Sequence, residues 1–138
     1  MATASQALGE LGITEWVMRG EPTKESEFKE MFRKVIGADS SGSAIESDDP
    51  SKWGVTWKQV SDKMAAIDKA APMKELRLQR DAKLAETDWT ALADVTMTDN
   101  MKTYRQKLRD LPAHKDGKDA SLASDGSLEN VKWPQKPA

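Results

Sequence analysis

The stretch Thr56–Trp89, TWKQVSDKMAAIDKAAPMKELRLQRDAKLAETDW, decides how the rest of the chain is read. It opens with Thr56 and Gln59 spaced as a capping box, and Val55 and Val60 stand where a hydrophobic staple closes over the first turn. Trp57, Val60, Met64, Ile67 and Ala71 then mark one apolar helix face. Pro72 lacks the amide proton a helix needs and is expected to stop this helix or kink it into the next. From Met73 to Glu86 nearly every residue is a strong helix former, but Met73, Leu76 and Leu84 give only a narrow apolar stripe, with Arg77 and Arg80 beside it. Thr87, Asp88 and Trp89 break the pattern.

Working towards the C-terminus, Thr90–Met97 reads as a connector. A further helix is expected from Thr98 or Asp99 through Met101, Tyr104 and Leu108 to Leu111, where Pro112 forbids continuation. Paired with its predecessor it should form an antiparallel helical hairpin, with Trp89 packed in the core near the corner. The polar run after Pro112 reads as loop, and Trp133-Pro134 with Pro137 excludes helix, so the end is expected to be extended.

Working back, Phe28, Met31, Phe32, Val35 and Ile36 follow the helical i, i+3, i+4, i+7, i+8 pattern, with Thr23 as N-cap and Gly37 as the stop. Residues 38–51 are small and polar and read as a long surface loop. Gly9 and Gly12 make the opening residues a poor helix, although Leu8, Leu11, Ile13, Trp16 and Val17 are apolar enough to dock. The expected fold class is therefore mainly α: a small helical domain with long polar loops, extended termini and a C-terminal antiparallel hairpin. Three regions are expected, with 1–72 carrying the polar loop 38–51, 73–112 the hairpin, and 113–138 a polar loop and an extended Trp-Pro tail.

Composition narrows function by exclusion. Apolar residues make up 38% and charged residues 32% of the chain, ordinary globular values that leave little to bury at the ends. Formal net charge is -2 with both signs interspersed, which gives no strong field towards nucleic acid or anionic membrane. The absence of cysteine removes disulfides, thiolate nucleophiles and cysteine-ligated metals. No basic n-region or apolar span is visible, so the chain is expected to stay in the cytoplasm of whatever cell makes it, without membrane insertion. The single histidine, His114, sits in a polar loop with no second His or Cys to complete a nucleophile or metal constellation. No catalytic residue, cofactor or metal ligand is expected, and the chain reads as a non-enzyme.

Binding residues are the better expectation. Arg77 and Arg80 on one helix, and Arg105 and Arg109 on its partner, can meet Asp81, Asp88 and Asp110 as an ion-pair network. The same planar guanidinium groups can anchor a partner protein's carboxylates, or, less readily among so many acids, phosphates. Of the five tryptophans, Trp57 and Trp89 fall in helical patterns and read as core. Trp16, Trp53 and Trp133 fall at boundaries or in irregular chain and read as interface anchors. Trp133 with Pro134 forms a pre-stiffened apolar plug.

The second half of the chain resembles a module of tailed-bacteriophage tail and tail-fibre assembly proteins. The resemblance rests on an Arg-rich helix (Arg77, Arg80, Asp81, Leu84), a Thr87-Asp88-Trp89 turn, the helix Tyr104-Arg105-Gln106 to Leu108-Arg109-Asp110, Pro112, and a terminal Trp133-Pro134 to Pro137. It covers Met73 to the end. The WVMRGEPT stretch from Trp16 to Thr23 is similar to small structural proteins of marine myophages. What the resemblance implies is a tail role without catalysis: a virion component of the tail, baseplate or fibre attachment region, present in several copies and bound to other tail or fibre proteins. The alternatives are an assembly chaperone absent from the mature virion and a nucleic-acid-binding adaptor. The spacer from Ala113 to Leu128 is longer and more polar than such modules carry.

Overall fold

The computed structural model describes residues 1–138, which divide into two compact units, Met1–Lys69 and Ala70–Ala138. The chain is 49% helix and 13% strand, an α/β fold. The expectation of a mainly helical domain with a helical hairpin is thereby corrected, and the strands that overturn it lie where helix or loop was read.

In the first unit, helix α1 spans Ala4–Glu10 and is capped by Thr3 and Gln6, each side chain bonding the other's backbone amide. The T-x-x-Q spacing that announces this helix stands at Thr3–Gln6 as plainly as at Thr56–Gln59, and it overrides the two glycines. Strand β1 (Trp16–Met18) follows, then helix α2 (Glu25–Met31), which gives way directly to strand β2 (Phe32–Ala38). The expected helix to Gly37 thus ends six residues early. Val35 and Ile36 are β-branched and fit a strand better than a helix. The strand they belong to is claimed by neighbours on both sides: β1 pairs antiparallel with Trp16 opposite Lys34 and Met18 opposite Phe32, and β3 (Ala44–Ser47) pairs on the far side with a bulge between Val35 and Gly37. The β3 strand lies inside the expected loop 38–51. The turn before it is held by the Asp39 carboxylate, which accepts from the Ser41 and Ser43 amides at 2.9 and 3.0 Å and is kept below the usual carboxylate range by these bonds, the Ser41 hydroxyl first.

The core of this unit is aromatic. Phe28, Phe32, Trp53, Leu8, Val55 and Val60 are buried, with Trp16, Trp57, Met64 and Ile67 packed against them. Phe28 and Phe32 stack at 4.9 Å between centroids, and Trp53 meets both edge-on at 5.5 and 4.9 Å. Trp53, expected to face a partner, is only 2% exposed, and its indole donates to the Ser47 carbonyl at 2.9 Å. Trp16 is half-buried and donates to the Ile13 carbonyl at 3.0 Å. Both indoles are occupied inside the fold, Trp53 by a carbonyl at the end of β3 and Trp16 by one in the segment just before β1.

Helix α3 runs unbroken over Trp57–Thr87. The Thr56–Gln59 box forms as the sequence predicts, Gln59 N to Thr56 Oγ1 at 3.2 Å and Thr56 N to Gln59 Oε1 at 2.9 Å. Pro72 neither stops nor divides it. A mid-helix proline costs about 3 kcal/mol. Ala70, Ala71 and Met73–Leu76 are all favourable helix formers around it, and Leu76 is fully buried four residues on.

In the second unit the end of α3 is followed by a 3-10 turn at Asp88–Ala91, helix α4 (Asp99–Asp110) and a second 3-10 turn at Leu111–Ala113. Thr98 caps α4 by accepting from the Met101 amide at 3.1 Å, where the sequence places it. The polar spacer contains a minimal hairpin of β4 (Ser121–Leu122) and β5 (Leu128–Glu129), and the chain from Asn130 onwards has no regular element. No helix is long and apolar enough to cross a membrane.

Trp53→Ala is expected to lower the stability of the first unit by about 3–5 kcal/mol, the range for truncating a buried aromatic. Thermal melting of the variant is the measurement, and an unchanged transition would show that the aromatic cluster does not close on this ring.

Candidate protein-binding site

The second unit is built around one guanidinium. Arg105, on α4, is almost fully buried and reaches the end of α3: Nη1 donates to the Leu84 carbonyl at 2.9 Å and to Thr87 Oγ1 at 2.7 Å, and Nη2 to Asp88 Oδ1 at 2.9 Å. The last carbonyls of a helix have no amide to accept from within it, and its C-terminus attracts positive charge. Arg105 answers both needs with the planar fork that arginine alone carries. Thr87 and Thr90 are buried with it, their hydroxyls donating to the Leu84 and Thr87 carbonyls at 3.2 and 2.6 Å. The Arg105 Nε is buried without a partner. Of the arginines read as partner-binding, this one is spent on the fold.

The consequence of that clamp is Trp89. Read from the sequence as core, it is 59% exposed on the 3-10 turn, with Leu92 56% exposed beside it in sequence. The buried face of α3 continues through Thr87 to Thr90, and Trp89, two residues past Thr87, lies on the opposite side. Leu78 on α3 is also open to solvent. These are the binding-type residues that sequence reasoning missed; a change of helix type at Thr87-Asp88 was the available signal.

The tail is placed along its own unit. Lys132 N donates to the Asp116 carbonyl at 2.8 Å, the Lys83 ammonium lies 5.0 Å from the centroid of the Trp133 ring, and Lys136 stands 3.8 Å from Glu86. Trp133 and Pro134 are half-buried and form one wall of a cavity of about 490 Å³ whose other sides include Lys107, Leu111, His114 and Asp116. Gly117 makes the return of the loop possible, since a Cβ there would collide with the Leu111 carbonyl and lie 2.8 Å from the Leu111 Cγ. Burial, with the Glu86 charge adding to it, pushes the neighbouring Tyr104 phenol above its ordinary value.

The remaining arginines gather elsewhere on this unit. Arg77, Arg80 and Arg109 line a second groove of about 490 Å³ with Asp110, Pro112 and His114. Arg80 is tied to Asp81 at 2.7 Å and to the Arg109 carbonyl at 3.5 Å. His114 accepts from the Asp116 amide at 3.2 Å through Nδ1. No group of three or more acidic or histidine side chains is arranged to hold a metal ion. The unit presents grooves, an exposed aromatic turn and guanidinium groups without ion pairs.

Residues 73–138 match the family of phage tail assembly chaperone proteins. The match covers just under half of the chain and nearly all of the second unit. It supports a phage tail assembly protein. Arg105, the Trp89 turn, the arginine groove and the Trp133-Pro134 wall all lie inside the segment similar to tail assembly chaperones. Neither the curated proteins nor the solved structures hold a match to the chain.

Arg105→Lys keeps the charge and removes the fork, so the second unit is expected to lose about 1.5–3 kcal/mol, the worth of hydrogen bonds to a charged group. Denaturant unfolding reads this out, and an unshifted midpoint would mean that the α3 end is held by something else. Gly117→Ala should likewise destabilise this unit, whereas Trp89→Ala should leave melting nearly unchanged because its ring is already in water.

Proposed function

We propose that this protein is a tail assembly chaperone of a tailed bacteriophage, binding tail or tail-fibre subunits in the host cytoplasm while they join and leaving before the particle is complete. The observation that carries this reading is the match of residues 73–138 to the tail assembly chaperone family. It fits the chaperone reading better than the virion-component one.

The surface of the second unit fits that work. Chaperoning requires contacts strong enough to hold a subunit and weak enough to release it, and exposed anchors such as Trp89, Leu92 and Leu78 provide apolar contact without a large continuous patch. The action is binding alone, without catalysis. His114, the residue best suited to proton transfer at neutral pH, is half-exposed and bonded to its own loop. His114→Ala is expected to leave phage yield unchanged, and a folded variant with lost yield would sink the non-enzymatic reading.

Mass spectrometry separates a chaperone from a virion part. The protein should be abundant in infected cells and missing, or grossly substoichiometric, in purified particles. Stoichiometric presence in the tail would overturn the chaperone reading in favour of a structural component.

A further inference from the structure

Six arginines are present, and four have their guanidinium groups engaged. Arg19 pairs with Glu46 at 2.8 Å, Arg33 donates to the Lys29 and Phe32 carbonyls at 3.0 and 2.6 Å, Arg80 pairs with Asp81, and Arg105 with Asp88. Arg77 and Arg109 have neither an ion pair nor a side-chain hydrogen bond, and both line the groove that Arg80 floors. Arg80 is held in place there, its side chain only 18% exposed and bonded to the carbonyl of Arg109 itself. Two free forks thus flank a fixed one, in a concavity closed by the rigid Pro112 turn.

We infer that the Arg77–Arg80–Arg109 groove is a binding site for a carboxylate-bearing segment of a partner protein. This rests on the assembly reading above and names the chemistry of what is held. The planar guanidinium accepts a carboxylate bidentately, and a pre-positioned Arg80 lowers the ordering cost. The local balance selects a short acidic peptide over a polyanion. Of the three guanidinium groups Arg80's is paired with Asp81, and the groove itself contains the Asp110 carboxylate, which accepts from Gln106 at 2.9 Å. One uncompensated positive charge is left, enough for one or two side-chain carboxylates, while the same two aspartates repel a run of phosphates.

The test uses the full chain, an acidic probe (a terminally capped pentapeptide carrying two glutamates) and two controls, inorganic phosphate and oligo(dT). NMR of the arginine Nε–Hε signals should show Arg77, Arg80 and Arg109 shifting on peptide addition, with a Kd at or below about 1 mM. Arg77→Glu with Arg109→Glu should weaken binding about tenfold or more. Arg77→Gln with Arg109→Gln gives the same direction without charge reversal, and circular dichroism checks that both fold. Lys52→Glu, a single charge reversal placed in the first unit, should leave binding unaltered. The proposal is overturned if the three signals stay fixed up to about 10 mM peptide, if Lys52→Glu weakens binding as much, or if oligo(dT) binds these arginines more tightly. Peptide binding is measured with purified protein, so the groove can fail while the particle census still reads chaperone, and the reverse.

Discussion

A buried arginine at the end of a long helix holds the second unit in its shape. The carbonyls closing α3 and the hydroxyl of Thr87 need donors, and the Arg105 guanidinium from α4 delivers several from one rigid plane. A buried cation is costly unless its partners are all in place, so the contact ties α4, the α3 end and Asp88 to a single geometry. Everything exposed on this unit inherits that geometry. Trp89 stands out from a turn whose preceding residues are fixed, and Arg80 and Arg109 meet where α4 ends.

This division of labour among like residues is the main functional lesson of the fold. Arg105 and Arg109 lie one helical turn apart on α4 and are chemically identical, yet one is immobilised inside and the other is unengaged. Trp53 and Trp89 are reversed in the same way: the ring read as an anchor is buried, and the ring read as core is outside. Binding capacity in this unit therefore resides in residues the fold leaves unused. The match to tail assembly chaperones covers the same residues.

The first unit follows a different logic, with an aromatic cluster rather than an ion pair at its centre. Phe28, Phe32 and Trp53 come from a helix, a strand and a 3-10 turn that have little in common except that cluster. Edge-on contacts between rings fix orientation as well as burying area, which suits a core assembled from short elements. Arg19 and Glu46 close the outside of the sheet, and the arginine's hydrogen bonds and charge hold the Glu46 carboxyl below the usual carboxylate range.

Local signals were legible where the deciding interaction is local. The Thr56–Gln59 box, the Thr98 cap, the end of α4 before Pro112 and the irregular final segment each depend on residues within one turn, and the sequence by itself determined them. The capping box at Thr3 was equally local and was there to be read. Tertiary structure decided the rest. Phe28 to Ile36 has a helical period, and only the pairing of β2 with residues many positions away, at Trp16–Met18 and Ala44–Ser47, selects the strand from Phe32. Pro72 stays inside a helix although its missing amide argues locally against it. Which arginine becomes structural is settled by where α3 ends relative to α4, a distance in space that no spacing along the chain encodes.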